Sequence, residues 1–429
     1  MPETLDLTSF QQACGQASPP ELESLAATLL RHLIQTDVDE ATSVRHAAIP
    51  LVNQLIRYGM MGVCFQVVKG VTDRFDAPEL LRLRTDLSRH LGAGLVKQSA
   101  ELVQNQAGHF LSAIMRPVRA FDHGLVADGI LPEGITIVMQ GPILLESDFT
   151  LESLRLYTRM FPGVRLVLST WDGEPVDAIS TLLPDVHIVQ NRRPDNPGPS
   201  NINMQIVSAR EGIRFACEAL HSRYVLKTRT DMRLYNPNAL LDMLALLDQF
   251  PCKSADPQRA RLVVISDVVK YMHYAVPDKT MFGSASDMWT YWSLPLDERP
   301  AGAVPSQPTM RTYAQQRPAE VYLLRQYLQR VGWQEDGTLE DHFRVLRDLF
   351  VVYDRSAADL YWPKYAHQLE FRFKQYGHNQ MLEEFGFNDW LRLQSARYRP
   401  YAPEVILDTP QSASLSELLT SALSPSALN

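Results

Sequence analysis

The chain has 429 residues, of which 45% are hydrophobic and 9% aromatic, a composition typical of a folded protein with two or three structural units. Its net charge of -8 argues against a broad nucleic-acid-binding surface, which would need an excess of lysine and arginine. No apolar stretch approaches the roughly 18 residues that a membrane-spanning helix requires, so the sequence predicts no transmembrane segment.

The cysteines indicate the compartment. Cys14, Cys64, Cys217 and Cys252 are scattered along the chain without the spacing of a metal site or a redox pair. Isolated cysteines of this kind are typical of a reducing environment. The acidic first residues contain no apolar core of a signal peptide. We therefore expect a cytoplasmic protein.

Residues 1–125 have the pattern of a helical domain. Ser18 and Glu21 have the spacing of a capping box, in which a hydroxyl and a carboxylate begin a helix. Apolar side chains then recur along one face of the predicted helix, at Leu22, Leu25, Leu29 and Leu33.

The same region contains signals for further helices. Gly59 is placed to end the next helix, and another is predicted over residues 61–75. Asp76 and Glu79 can begin a fourth helix that ends at Gly92. Short helices joined by tight turns predict a bundle or a tetratricopeptide-like array. Docking to a protein partner or assembly is the expected role of this domain.

From residue 133 onward, apolar runs of strand length alternate with helical segments. The predicted strands cover residues 135–142, 164–173, 186–191, 224–231 and 261–269. The predicted helices between and after them cover residues 148–161, 175–183, 203–220, 237–250 and 317–333. This alternation predicts a Rossmann-type, mainly parallel α/β sheet flanked by helices. We expect this domain to occupy residues 133–400 and a flexible, Ser-rich tail to occupy residues 401–429.

The predicted strands end in polar residues. A ligand of an open α/β sheet binds beyond the carboxyl ends of the strands, so these ends should meet at one site. Glycine-rich nucleotide loops, zinc-peptidase motifs and nucleophile elbows are absent, so dinucleotide dehydrogenases, P-loop NTPases and Ser or Cys hydrolases lose their best support. The remaining interpretation is a polar site that binds an anionic ligand. Its candidate residues are Gln140, Gly141, Pro142, Thr170, Asp172, Lys227, Arg229 and Asp231.

Four charges in seven residues follow the strand that begins at Tyr224. Side chains alternate along a strand, so Lys227, Arg229 and Asp231 should share one side. Such a row can bind a phosphate through its cations, while Asp231 binds a metal ion or a sugar hydroxyl. The alternative is an internal ion pair that stabilises the strand end.

Two further groups of polar residues follow predicted strands. Asp172 can accept hydrogen bonds from a ribose or a base, or it is a turn residue before Gly173. Asn203 and Gln205 lie at the start of a helix, where anions and sugar hydroxyls are favoured. A capping role for the asparagine is the alternative.

Three residues in the C-terminal half are candidates for chemistry. Glu320, near the start of an amphipathic helix, can act as a general base that deprotonates an acceptor hydroxyl. Asp287 is the competing candidate for this base. His367 can be a metal ligand or a phosphate contact, although a lone histidine is more often structural.

The order of several short motifs resembles the WavE-type lipopolysaccharide-synthesis family. The motifs are "VMQGPI", "LSTW", "NINMQIVSAREGI", "YVLKTRTDMR", "FGSASDMW", "PAEVYL" and "KYAH", and they extend from Ile135 to Gln368. The resemblance implies a glycosyltransferase of GT-A type, which passes a sugar from a nucleotide donor to a bacterial surface glycan such as lipopolysaccharide or capsule. It also implies a cytoplasmic protein, free or peripheral at the inner membrane.

The resemblance assigns roles to the strand-end residues. It makes the segment Gln140-Gly141-Pro142 and Asp172 contacts of the donor nucleotide. It makes Arg229-Thr230-Asp231 the counterpart of the DxD motif that holds Mn²⁺ or Mg²⁺ and the donor diphosphate. The first carboxylate of that motif is replaced here by Arg229.

This replacement leaves two hypotheses for the donor site. Asp231 holds the metal alone, or Lys227 and Arg229 neutralise the phosphate without an ion, which would suit a donor with a single phosphate. Glu320 or Asp287 would be the base of an inverting transfer. Two other classes remain open: a non-catalytic nucleotide-sugar-binding scaffold, and a nucleotide-sugar hydrolase or nucleotidyltransferase.

Overall fold

The chain forms two compact units, Met1–Arg116 and Pro117–Asn429. The computed structural model describes residues 6–35, 41–74, 78–108, 110–111, 113–120, 126–252, 258–265, 268–302, 309–365 and 384–400. His367 and the predicted tail lie outside the described residues. Among those described, no helix combines the length and the apolar character that crossing a bilayer requires.

The first unit is helical, as the sequence predicts. Its helices are α1 (Leu7–Gln16), α2 (Pro19–Gln35), α3 (Ala41–Arg57), α4 (Met61–Arg74) and α5 (Pro78–Ala107). Ser18 and Glu21 interact at the start of α2 as their spacing predicts, because the backbone N–H of Ser18 donates to the Glu21 carboxylate at 2.7 Å, and the Ser18 hydroxyl donates to it at 2.6 Å. Leu22, Leu29 and Leu33 are buried in the core of the unit.

The end of α3 also follows its sequence signal. Gly59 has a φ of +70°, and the N–H of Met60 donates to the carbonyl of Leu55, which closes the helix with a Schellman-type turn. The predicted end of the fourth helix at Gly92 is wrong. Helix α5 continues through Gly92 to Ala107, because an isolated glycine weakens a helix without necessarily ending it.

The second unit is built on a seven-stranded sheet of order β3-β2-β1-β4-β7-β6-β8. A separate two-stranded sheet pairs β5 with β9. The strands are β1 (Ile135–Gln140), β2 (Arg165–Trp171), β3 (Val186–Asn191), β4 (Tyr224–Arg229), β5 (Arg233–Leu234), β6 (Leu262–Ile265), β7 (Met281–Ser284), β8 (Phe350–Tyr353) and β9 (Leu360–Tyr361). The prediction of a mainly parallel sheet is confirmed, since β7 alone among the seven strands runs antiparallel to its neighbours.

Helices flank this sheet. They are α6 (Phe149–Met160), α7 (Asp177–Leu182), α8 (Ile202–Glu218), α9 (Ala239–Gln249), α10 (Ala285–Trp292), α11 (Met310–Gln315), α12 (Ala319–Arg330), α13 (Leu339–Leu349), α14 (Arg355–Ala358) and α15 (Phe387–Leu393). Gly212 lets α8 lie close to the sheet, because a Cβ there would meet Val138 at 2.5 Å and Ser169 at 2.8 Å. Strand β1 is buried along its whole length, as expected of a strand covered on both faces.

Strand β5 is only two residues long and is anchored by the buried guanidinium of Arg233. Its Nε donates to the Ser153 hydroxyl at 2.8 Å, and Nη2 donates to the Phe149 carbonyl at 2.9 Å. Its Nη1 donates to the Val118 carbonyl at 2.6 Å. The ring of Phe149 lies 4.3 Å from the guanidinium carbon. Arg233 therefore attaches β5 to α6 and to the segment that leads into the unit.

We predict that Arg233→Met destabilises the second unit by about 3 kcal/mol or more, because the Phe149 carbonyl and the Ser153 hydroxyl would lose their donor while buried. All six tryptophans lie in this unit, so urea unfolding followed by tryptophan fluorescence reports on it alone. The control is Arg214→Met on α8, whose side chain is 51% exposed and which should change stability by less than about 0.5 kcal/mol. Equal losses for both variants would contradict the anchoring role.

His342 on α13 is fully buried, and its Nδ1 accepts a hydrogen bond from the N–H of Tyr274 at 3.1 Å. Burial, and to a smaller extent the neighbouring His273, lowers the pKa of His342 from 6.5 to about 3. The folded protein thus keeps this imidazole neutral. In the unfolded chain His342 takes up a proton below its ordinary pKa of 6.5, whereas in the folded protein it does not do so until the pH approaches 3. The free energy of unfolding therefore decreases as the pH falls from 6.5 toward 3.

We predict that His342→Gln reduces the loss of stability that accompanies a shift from pH 7.5 to pH 5.0 by about 2 kcal/mol, since each pKa unit corresponds to 1.36 kcal/mol. Urea unfolding at the two pH values, monitored by tryptophan fluorescence, measures this difference. The exposed residue His221 supplies the control, and His221→Gln should retain the wild-type dependence. An unchanged pH dependence in His342→Gln would contradict the prediction.

Candidate functional site

A cleft of about 900 Å³ opens at the carboxyl ends of β1, β2 and β4. The last residues of these strands, Gln140, Trp171 and Arg229, line it. The start of α8 contributes Gln205, and the start of α12 contributes Glu320. The structure therefore brings together residues that the sequence distributes over 180 positions, from 140 to 320.

The antiparallel strand β7 adds a segment that no parallel strand could supply at this edge. Met281, its first residue, pairs with Lys227 near the end of β4. The residues just before β7, Asp278 and Lys279, consequently lie at the carboxyl edge of the parallel strands and line the cleft.

The loop after β1 is fixed against the end of β4. The N–H of Thr230 donates to the Gln140 carbonyl at 3.1 Å, and its hydroxyl donates to the Pro142 carbonyl at 2.6 Å. Gly141 between them has a φ of +124°, and a Cβ at this position would approach the Thr230 hydroxyl to 2.9 Å. The turn requires glycine both for its backbone angle and for this close contact.

The end of β4 presents an ion pair to the cleft. Nε and Nη2 of Arg229 donate to the two oxygens of Asp231, at 2.7 and 2.9 Å. The indole N–H of Trp362 donates to the same carboxylate at 3.1 Å. Burial alone would raise the pKa of Asp231, but the hydrogen bonds and charge of Arg229, with help from Trp362, hold that pKa below its usual range.

Cations surround the indole of Trp362, which follows β9. The Arg229 guanidinium carbon lies 5.4 Å from the ring centroid, the Lys279 ammonium 4.7 Å and the Lys364 ammonium 5.9 Å. We call these three residues and Trp362 the cationic cluster. Arg355 also lines the cleft, and its Nε donates to the Leu360 carbonyl of β9 at 3.1 Å.

The cleft is locally basic in an acidic chain. Five basic residues line it, Arg193, Arg229, Lys279, Arg355 and Lys364, against the three carboxylates of Asp231, Asp278 and Glu320. The whole chain carries a net charge of -8. Because local charge of one sign concentrates ligands of the other, the cleft is suited to an anionic ligand.

Lys227 lies beneath the cleft instead of lining it. Its side chain is fully buried, with the ammonium 4.3 Å from the centroid of the Trp292 ring. The ammonium donates to the carbonyl of Asp278, and to that of Lys279 at 3.3 Å. Burial lowers the pKa of Lys227 to about 7, against the opposing attraction of Asp278. The predicted row of three side chains on one side is therefore broken, and Lys227 positions the segment before β7.

Asp287, a predicted catalytic residue, does not line the cleft. It is 2% exposed, and its carboxylate accepts hydrogen bonds from the N–H groups of Arg259 and Ala260, both at 3.1 Å. The Ser284 hydroxyl donates to it at 2.5 Å. These contacts hold the start of α10 and leave the carboxylate no access to a ligand in the cleft.

Three of the predicted donor-binding residues also lie outside the lining of the cleft. Asn203 holds the loop around Asp297. Its Oδ1 accepts a hydrogen bond from the N–H of Asp297 at 2.7 Å, and its Nδ2 donates to the Asp297 carbonyl at 2.8 Å. Thr170 is fully buried within β2, and Asp172 is exposed in the turn that follows. Thr170 and Asp172 thus lie around the end of β2 and Asn203 lies at the start of α8, but the sequence pattern could not show which way each side chain points.

Two carboxylates besides that of Asp231 belong to the lining of the cleft, namely those of Asp278 and Glu320. Burial raises the pKa of Tyr291 well above its usual range, and the charges of Asp278 and Glu320 raise it further. Both carboxylates are therefore within electrostatic reach of one buried phenol. Glu320 lies in the first turn of α12.

The surroundings of Asp231 do not fit Mn²⁺ or Mg²⁺. Both of its oxygens accept hydrogen bonds from Arg229, and the neighbouring cations of the cationic cluster would repel a divalent ion. Within the described part of the chain, no three His, Cys, Asp or Glu side chains are grouped as metal ligands. His367, the other predicted ligand, lies outside that part.

The sequence pattern did not single out Trp362, Lys279, Lys364, Arg355 or Asp278. One usable signal was present, because the stretch Trp362-Pro363-Lys364 joins an aromatic residue, a turn former and a cation directly after an apolar pair. No local signal marked Asp278 and Lys279, whose position depends on the direction of β7.

Comparison with known families gives one match. A family model described as WavE lipopolysaccharide synthesis matches residues 135–415, which include every strand of the sheet and all the lining residues of the cleft. A search of curated protein sequences returned no match.

We predict that Gly141→Ala destabilises the second unit by about 1–3 kcal/mol, as expected for a non-glycine residue forced into such a backbone conformation. The loss should exceed that of Gly163→Ala, where φ is +82° but no atom lies within 4 Å of the added Cβ. Urea unfolding followed by tryptophan fluorescence measures both losses. Equal losses in the two variants would contradict the role of the close contact with Thr230.

Proposed function

The chain belongs to the WavE lipopolysaccharide synthesis family, and we propose that it is a GT-A-like glycosyltransferase that moves a sugar from a nucleotide donor to a hydroxyl group of a lipopolysaccharide precursor. The observation that carries this proposal is the presence of the cationic cluster and Glu320 in one cleft. An inverting sugar transfer uses both features, since the leaving group is an anion and the attacking hydroxyl must lose a proton.

In the proposed reaction, the donor phosphate lies against Lys279, Lys364 and the Arg229 side of the cleft. The acceptor oxygen forms a bond to the anomeric carbon while the bond from that carbon to the phosphate oxygen breaks. Glu320 takes the proton of the acceptor hydroxyl, and the nucleotide leaves with the bonding electron pair. Fixed cations stabilise the charge that develops on the leaving group without reorganisation at the moment of reaction.

Glu320 is the better candidate for the base than Asp287. Its carboxylate lines the cleft in the first turn of α12, whereas that of Asp287 is enclosed by its own hydrogen-bond donors. A base that acts on the face opposite the leaving group gives inversion at the anomeric carbon, so an inverting transfer is part of the proposal.

The helical unit is proposed to dock a protein partner. Leu95 and Leu102 of α5 are 65% and 55% exposed. They are seven residues apart and thus share one face of the helix. Large apolar side chains that recur on an exposed helical face favour protein–protein contact.

We predict that the wild-type protein releases nucleotide from one of the UDP-, GDP-, CMP- or dTDP-sugars in the presence of truncated lipopolysaccharide acceptors, with a matching mass increase of the acceptor. Glu320→Gln should lower kcat by roughly 10²–10⁴-fold, the usual contribution of a general base, with little change in donor affinity. The matched control is Glu340→Gln, because Glu340 is an exposed carboxylate at the equivalent place in the first turn of α13.

Glu340→Gln should retain wild-type turnover. Free sugar released at the same rate with and without acceptor would contradict the transferase proposal and favour a hydrolase. Full activity of Glu320→Gln would contradict the role of Glu320 as the base but would not contradict the proposal of sugar transfer.

A further inference from the structure

We propose that Asp278 binds a hydroxyl group of the sugar that is transferred, by means of a carboxylate oxygen for which the described part of the chain provides no hydrogen-bond donor. This inference rests on the proposed function and deepens it, because it names a residue that recognises the donor sugar. Asp278 takes no part in the proposed proton transfer or in the stabilisation of the leaving phosphate.

The carboxylate of Asp278 is buried and yet has an unused acceptor. The residue lines the cleft and is 3% exposed. Its Oδ2 atom is buried and, among the described residues, accepts no hydrogen bond. A buried carboxylate oxygen without a donor is costly to keep out of water, and a ligand that supplies the donor removes this cost. The oxygen therefore indicates that the ligand of the cleft carries a hydrogen-bond donor.

The need for a donor limits which part of a nucleotide sugar can contact Asp278. The phosphate groups are ionised at neutral pH and have only acceptor oxygens, so they cannot fill this position. The hydroxyl groups of a sugar both donate and accept hydrogen bonds. A hydroxyl group thus satisfies the carboxylate without bringing a charge of its own into the cleft.

The charge of Asp278 has a counter-charge inside the protein. The ammonium of Lys227, which is fully buried, donates to the backbone carbonyl of Asp278. The attraction of Asp278 opposes the fall in the pKa of Lys227 that burial causes. A divalent ion at Asp278 would meet the positive charge of Lys227 and be repelled by it. A neutral hydroxyl group meets no such repulsion, which favours a sugar over a metal ion as the partner of Asp278.

The position of Asp278 corresponds to the transferred sugar more closely than to the ribose. Lys279, the next residue, lines the side of the cleft proposed for the donor phosphate. Burial and then the charges of Asp278 and Glu320 raise the pKa of Tyr291, so both carboxylates lie near one phenol. In the proposed reaction the transferred sugar lies between the phosphate and the base, whereas the ribose lies beyond the phosphate. The hydroxyl groups near Asp278 are therefore those of the transferred sugar.

The segment that carries Asp278 is held in place by the sheet. The N–H of Ile265 donates to the Thr280 carbonyl at 3.2 Å, and the hydroxyl groups of Thr280 and Thr228 are 3.2 Å apart. Lys227 donates to the carbonyl of Asp278 itself. A carboxylate fixed in this way loses little freedom on binding and can distinguish sugars by the position of one hydroxyl group.

The test compares nucleotide sugars with their sugar-free nucleotides. Calorimetry, in EDTA and in Mn²⁺, measures the affinities for UDP-glucose and UDP-galactose against UDP, GDP-mannose against GDP, dTDP-rhamnose against dTDP and CMP-sialic acid against CMP. For the nucleotide sugar that binds the wild-type protein most tightly, Asp278→Asn should weaken binding about tenfold, because a carboxylate accepts a stronger hydrogen bond than a neutral amide.

The sugar-free nucleotide separates this effect from a change in charge. Its affinity for Asp278→Asn should stay within about threefold of the wild-type value. Loss of a negative charge would by itself strengthen the binding of any phosphate. Weaker binding that is confined to the nucleotide sugar is therefore opposite in direction to the charge effect.

Two further variants complete the comparison. Asp278→Glu keeps the negative charge near Lys227 and moves the carboxylate by one methylene group, so it should also weaken nucleotide-sugar binding about tenfold, and it tests the inference if the asparagine variant does not fold. The control Asp248→Asn removes an exposed carboxylate of α9 that does not line the cleft, and it should change neither affinity. Circular dichroism and the melting temperature show whether each variant is folded.

Deoxy forms of the preferred nucleotide sugar identify the hydroxyl group that Asp278 binds. In the wild-type protein, removal of this one hydroxyl should weaken binding about tenfold. In Asp278→Asn the same removal should weaken binding less than about threefold, because the stronger hydrogen bond is already lost. Equal losses in the two proteins for every deoxy form would overturn the inference.

The other outcomes separate this inference from the proposed function. Equal weakening of the nucleotide sugar and its sugar-free nucleotide would assign Asp278 to the nucleoside and overturn the inference, as would unchanged affinities in both Asp278 variants. A higher KM for the lipopolysaccharide acceptor alone would overturn it in favour of the acceptor. Sugar transfer by the wild-type protein would stand in all these cases. Absence of both nucleotide-sugar binding and transfer in the wild-type protein would overturn the proposed function and the inference together.

Discussion

The buried guanidinium of Arg233 is the interaction on which the geometry of the cleft depends. A strand of two residues has too few ladder hydrogen bonds to hold its own place, and Arg233 supplies the missing attachment through the carbonyls of Phe149 and Val118. With β5 fixed, β9 has a partner, and Trp362 directly after β9 is brought against Asp231. The cationic cluster is thus organised from the core outward.

The charges from Lys227 to Arg233 have two separate roles. Lys227 and Arg233 are buried and donate hydrogen bonds to backbone carbonyls. The charged group of each also packs against an aromatic ring. Arg229 and Asp231, between them, face the cleft. Burying an unpaired cation is costly, and in both cases several carbonyl acceptors offset that cost. The outer two residues of the charged stretch therefore support the inner two.

The sequence could predict those parts of the molecule that depend on local pattern. The strands, the contact between Ser18 and Glu21, and the convergence of Gln140 and Arg229 follow from local sequence pattern and from the general position of ligands in parallel sheets. The position of Trp362 could not be predicted, since it contacts Asp231 across 131 positions through pairing of two very short strands. Side-chain direction also escaped prediction, and the resemblance to a metal-binding motif left the role of Asp231 open, because the sequence could not show its bidentate pairing with Arg229.

The pairing of β5 with β9 has a consequence for the order in which the protein folds. Contacts that join distant parts of a chain form late, because a long loop must close before they give any stabilisation. During synthesis, the strands from β1 to β4 can assemble long before Trp362 leaves the ribosome, as domains fold from the N-terminal side. The cleft is consequently completed by one of the last described segments of the chain, and partially synthesised protein contains most of the sheet without a finished cleft.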